Sequence, residues 1–184
     1  LVKEVEQAKA SSGAENPMKL YMPEATDLSG VNADTPIFTL AGRIEDQKGV
    51  DIYSKGILEF YKNYKGDNYP VFYIQGIGAT PQYMNYFLNA KRELAKTNPA
   101  AAKRMVATSL FGEPGRYDAC KMMADYTPMP SWFEPFGLVH KENAKFNGSI
   151  PITNEVGGLT ANLTDKVNAL FVKYQHRFDP NIDA

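Results

Sequence analysis

The chain of 184 residues has one cysteine, Cys120, one tryptophan, Trp132, two histidines, His140 and His176, and almost no net charge. Each scarcity removes a class of function. A lone cysteine excludes an internal disulfide and any cysteine-rich metal site, which fits a reducing compartment, so a cytoplasmic setting is expected. Neither histidine has metal-ligand spacing or a nucleophile motif beside it, and both read as incidental. Twenty basic residues against 21 acidic ones leave a formal charge of -1. No global field is available for nucleic acid or an anionic membrane, neither is expected as a partner, and any anion binding must be local. No apolar run approaches the roughly 18 residues of a membrane span, and the opening LVKEVEQAKASSGAENP has no signal-peptide core. The sequence also lacks a Walker loop, a GxSxG elbow and an Asp-x-Asp pair, so a metal-independent chemistry without a cofactor is expected.

A hydrophobic content of 43% is enough for one domain with a core. The sequence starts without a methionine and stops at PNIDA, and reads as a fragment. Residues 1–34, rich in Ser, Gly, Asn, Asp and Pro, read as a connector from a preceding lobe, and 35–184 as one domain cut short at its C-terminal end. Within it, Pro36 to Leu40 is a short apolar run ended by Ala41-Gly42, and Val50, Tyr53, Ile57, Leu58 and Tyr61 recur at helical spacing. Further strands are predicted at Val71–Gln75, Met105–Phe111, Tyr126–Met129 and Ser149–Thr153, with helices at Pro81–Lys96, Tyr117–Ala124 and Leu138–Phe146. Strands alternating with helices predict right-handed crossovers and a doubly wound α/β domain with a mostly parallel sheet. Pro128 and Pro151 each remove a ladder donor, so their strands are expected to be edge-like, irregular or shorter than drawn.

Ligands of open α/β sheets sit outside the carboxyl ends of the strands, which directs attention to three loops. The first, Ala41 to Gly49, carries Arg43 and Lys48, two cations able to neutralise a diphosphate. The alternative is that Arg43 pairs with Glu45 or Asp46 while Lys48 is solvated. The second, Pro130 to Val139, contains Glu134 and runs into a helix at Pro135-Phe136-Gly137-Leu138. A helix start offers unpaired N–H groups to phosphate or sugar hydroxyls. Glu142, eight positions after Glu134, can face the same cleft and accept hydrogen bonds from sugar or ribose hydroxyls. Alternatively Glu134 caps the helix and Glu142 is an exposed helix glutamate. The third loop holds Gly157 and Gly158, which either shape the floor of an anion site or form a tight turn. Gly76-Ile77-Gly78 carries little information without the rest of a dinucleotide fingerprint.

Taken in order, AGRIEDQKGVD, MPSWFEPFGL and GSIPITNEVGGL resemble the C-terminal, nucleotide-sugar-binding lobe of bacterial-type glycogen and starch synthases, retaining glycosyltransferases of the GT-B fold. That family's pattern runs S-R-L-x-x-Q-K-G-x-D, P-S-R-F-E-P-x-G-L and G-x-x-P-I-x-x-x-G-G-L. The resemblance covers about Thr35 to Leu159. It implies a Rossmann-like lobe that binds ADP-glucose or UDP-glucose as substrate, with a glucan as acceptor and a missing N-terminal lobe as the partner across the cleft. It further implies that Arg43 and Lys48 hold the diphosphate and that Glu134 meets the sugar hydroxyls. The backbone of Phe136, Gly137, Leu138 and Val139 cradles sugar and phosphate in this picture, Glu142 binds the ribose, and Gly157 and Gly158 complete the site. The isolated lobe is expected to bind but not to catalyse. Trp132 stands where the family has an arginine, Gly42 where it has a serine, and Ala161 where it has an aspartate. These departures motivate two alternatives, another retaining hexosyltransferase or a non-catalytic nucleotide-sugar-binding or interaction module.

Overall fold

The structure, a computed structural model, describes residues 26–77, 81–108, 116–146 and 148–173. Gly78, His176, the end of the predicted strand Met105–Phe111 and most of the expected connector lie outside these residues. Six strands, β1 (Ile37–Arg43), β2 (Val71–Ile77), β3 (Met105–Thr108), β4 (Tyr126–Met129), β5 (Ile150–Thr153) and β6 (Leu170–Phe171), form one sheet in the order β3-β2-β1-β4-β5-β6. Every pairing is parallel. Between them in the chain run α1 (Val50–Asn63), α2 (Pro81–Thr97), α3 (Pro99–Ala102), α4 (Arg116–Met123), α5 (Leu138–Phe146) and α6 (Gly157–Thr160). This is the doubly wound architecture that the alternation predicts.

The two-residue period of the strands divides the core between the two faces of the sheet. Leu40, Phe72, Ile74, Met105 and Ala107 point to one face, where they pack with Val50, Tyr53, Ile57 and Tyr61 of α1 and Met84, Phe87 and Leu94 of α2. Their neighbours Ala41, Val71, Tyr73 and Val106 point to the other, where they meet Leu28 and Cys120 of α4. The strands are apolar on both sides because both sides are covered. Local capping agrees with this layout. The Asn98 side chain accepts from Ala101 N with Pro99 in the first turn of α3, and Asp125 Oδ2 accepts from Ile37 N at 2.8 Å, fixing the start of β1 beside β4.

One expectation is corrected, and one alternative of another fails. β1 does not stop before Ala41-Gly42; it continues to Arg43 because Ala41, Gly42 and Arg43 stay in register with Gln75, Gly76 and Ile77 of β2. Pro128 and Pro151 do not mark edges, since β4 lies between β1 and β5, and β5 between β4 and β6. β4 spans Tyr126–Met129 as drawn, and β5, at Ile150–Thr153, is one residue shorter than drawn. β4 meets β1 at a single registered pair, Phe38 with Tyr126, so Pro128 lies beyond the one rung between them. Among the described residues no helix is long and apolar enough to cross a membrane.

Candidate functional site

The strand order reverses direction between β1 and β4, and in open α/β sheets the carboxyl ends of the strands at such a reversal are where ligands bind. The chain leaves β1 at Arg43, makes a 3₁₀ turn over Asp46–Lys48 and enters α1 through Gly49. It leaves β4 at Met129 and crosses Pro130 to Gly137 before α5. The two loops are joined by backbone and by charge. Trp132 N donates to Gln47 O at 2.8 Å, and Lys48 Nζ reaches Glu134 Oε2 at 2.6 Å. Gly49 makes this approach possible. Its φ of 63° is left-handed, and a Cβ there would overlap the Pro130 carbonyl oxygen.

Glu134 is the hub of the site. One carboxylate oxygen takes the Lys48 ammonium, and the other accepts from Gly137 N at 3.2 Å, just ahead of α5. Its carbonyl accepts from Gly158 N at 2.7 Å. Glu134 therefore caps the helix, as one reading of the sequence has it, and also binds the cation proposed for the diphosphate. Lys48 is held in an ion pair with only 17% of its side chain exposed, while Arg43 is 66% exposed and lies 3.6 Å from Glu45. The pairing expected for Arg43 alone is thus found for both cations, with Lys48 taking a partner from the opposite loop.

Gly157 and Gly158 lie against the second loop. A Cβ on Gly157 would overlap the Glu134 carbonyl, and one on Gly158 would overlap the Pro135 carbonyl oxygen. Gly137, at φ 61°, is seated on Leu159. Phe136 and Leu138 are 71% and 57% exposed, whereas Val139 turns inward onto Met129, Leu159 and Leu163. Glu142 is placed differently. Its Oε2 lies 2.6 Å from Nζ of Lys121 on α4, which ties it to the neighbouring helix. Sequence reasoning missed Lys121, because a lysine within Arg116–Met123 carries no signal that its ammonium is buried.

His140, on the next turn after Gly137, is 7% exposed. Burial, then the charge of Lys141, lower its pKa below the usual imidazole value, against weaker pulls from the Gly137 backbone and Glu134. A cavity of about 610 Å³ lies between α5, the start of β5 and residues 162–170. Among the described residues no group of three or more His, Cys, Asp or Glu is placed to hold a metal ion.

A parallel sheet of this order, reversing between β1 and β4, is Rossmann-like, and its neighbours among solved structures are GT-B glycosyltransferases, which makes the fold that of a GT-B lobe. It matches the C-terminal domain of a group 1 family glycosyl transferase from Francisella tularensis with a TM-score of 0.61 at 17% identity, over 87% of this chain and 75% of that one. By sequence, the chain is a homologue of the C-terminal part of glycogen synthases. It is 30% identical over 158 residues to the glycogen synthase of Exiguobacterium sibiricum, covering 86% of this chain and 28% of that protein. It is also 30% identical over 135 residues to granule-bound starch synthase 1 of Arabidopsis thaliana, covering 73% of this chain and 20% of that protein. The chain thus spans less than a third of the length of these curated relatives. No family model matches it.

Proposed function

We propose that this chain is the donor-binding lobe of a retaining glycosyltransferase that moves glucose from ADP-glucose or UDP-glucose to a growing α-1,4-glucan. The observation that carries the reading is the junction of Lys48 and Glu134 across the β1–β4 reversal, in a chain homologous to glycogen synthases. In this reading Arg43, exposed at the rim, receives the diphosphate first. Lys48 then shares its charge between phosphate and Glu134, and Glu134 offers its remaining acceptor capacity to sugar hydroxyls. The N–H groups at the start of α5 and the positive end of its dipole face the same charge. As the glycosidic bond breaks, negative charge grows on the leaving nucleoside diphosphate, and fixed donors already in place stabilise it without reorganising. Glu142 binds the ribose. A second lobe completes the cleft and supplies the acceptor side, and residues 1–34 connect to it. A cytoplasmic location goes with this role.

Calorimetric titration with ADP, ADP-glucose, UDP and UDP-glucose in the presence of chelator tests the reading. Preferential binding of one nucleotide pair assigns the donor, and transfer of labelled glucose to a glucan by the full-length protein assigns the reaction. Binding without transfer favours the non-catalytic module, and absence of binding to the full-length protein overturns the proposal.

A further inference from the structure

We infer that Lys121 is a positioning residue for nucleotide recognition, holding the Glu142 carboxylate where it meets the ribose hydroxyls; the inference rests on the donor-binding reading above. Lys121 is 3% exposed on α4, and its ammonium lies 2.6 Å from Glu142 Oε2 on α5. An ammonium taken out of water is costly unless a carboxylate answers it, so the pair is fixed in a way a surface ion pair is not. The same ammonium sits 5.7 Å from the ring centroid of Phe146, one turn further along α5. Two contacts on one helix thus hold the lysine that holds the glutamate.

Glu142 itself remains 41% exposed. A carboxylate with one oxygen engaged by a buried cation and a side chain still open to solvent has a set direction. A glutamate free to explore its rotamers would lose that freedom on binding ribose, whereas this one has lost it on folding. The arrangement is chemically specific. Ribose offers two vicinal hydroxyl donors, and a fixed, ionised acceptor is suited to them.

The test uses the full-length protein and the variants Lys121→Met and Lys121→Arg, titrated with ADP, UDP, their 2′,3′-dideoxy analogues and inorganic pyrophosphate. Lys121→Met is expected to weaken binding of the preferred nucleoside diphosphate roughly tenfold while changing the dideoxy analogue and pyrophosphate by less than about twofold. Lys121→Arg is expected to restore most of the loss. Should methionine unpack the helix pair, Lys121→Gln keeps a donor to Glu142 without the charge. It is expected to lose less than methionine, and still only against ligands carrying both hydroxyls. Equal losses for all ligands would make Lys121 a structural tie between α4 and α5 and overturn the inference, as would no loss at all. Equal binding of ribose and dideoxy ligands by the wild type would also overturn it, with donor binding intact. A wild type that binds none of the nucleotides would instead remove the donor-binding reading itself.

Discussion

Lys48 and Glu134, 86 residues apart in the chain, meet at 2.6 Å across the point where the sheet reverses. Both side chains are more than four-fifths covered, at 17% and 15% exposure. Removing one charge strands the other in a site that water reaches poorly. Lys48→Met is expected to destabilise the fold by about 1–3 kcal/mol, and Glu134→Gln by a similar amount. The double variant should lose clearly less than the sum. Urea unfolding of the four proteins measures the coupling, and strict additivity would show that the two residues do not act as a pair.

Arg43 makes the opposite prediction. It is 66% exposed and its contact with Glu45 at 3.6 Å is long, so Arg43→Ala should change stability by no more than about 0.5 kcal/mol. If it receives the diphosphate, the same substitution should weaken nucleoside diphosphate binding by about 1.5–3 kcal/mol. Unchanged affinity would take Arg43 out of the site. Lys48→Met, by contrast, should affect stability and affinity together.

The glycines separate tight approach from mere flexibility. Gly49→Ala would place a side chain on a left-handed residue and drive its Cβ into the Pro130 carbonyl, and a loss of about 2–5 kcal/mol is expected. Gly56 lies on the exposed face of α1 with open space where a Cβ would go. Gly56→Ala should therefore stabilise the protein by about 0.5–1 kcal/mol. Thermal denaturation of the two variants distinguishes them, and similar midpoints would contradict the contact drawn between Gly49 and the second loop.

Much of this was legible in the residues. Helical spacing from Val50 locates α1, the Pro135 to Leu138 run locates the start of α5, and Arg43 at the end of β1, Lys48 after it and Glu134 after β4 stand where the sequence puts them. Pairing across the chain was less accessible. Nothing local assigns Lys48 to Glu134 rather than to solvent, because that choice depends on β1 and β4 becoming neighbours. Nor does spacing along α5 reveal that Glu142 turns to α4, since Lys121 is an ordinary helix lysine until the packing buries it. The prolines misled for a related reason. A missing N–H argues for an edge only if the one neighbour it would face has a ladder acceptor there, and β4 meets β1 at one registered pair, Phe38 with Tyr126.

His140 supplies a pH dependence with a defined sign. Burial lowers its pKa in the folded protein below the usual 6.5, so the unfolded chain binds the proton more tightly than the folded one. Stability from the neutral imidazole is therefore complete above about 6.5 and is lost as pH falls from there through the lower folded-state value. His140→Gln removes this titration. The stability of the wild type relative to the variant, followed by urea unfolding at a series of pH values from 8 down to about 5, should decline toward acid. The ring nitrogens lie buried without a well-formed hydrogen bond, close behind Gly137 and the start of α5. Charging the ring would therefore disturb the same backbone that Glu134 caps, and nucleotide affinity should weaken over the same interval in the wild type but not in the variant. A relative stability that stays flat or rises toward acid would show that the buried imidazole is not held neutral by its surroundings.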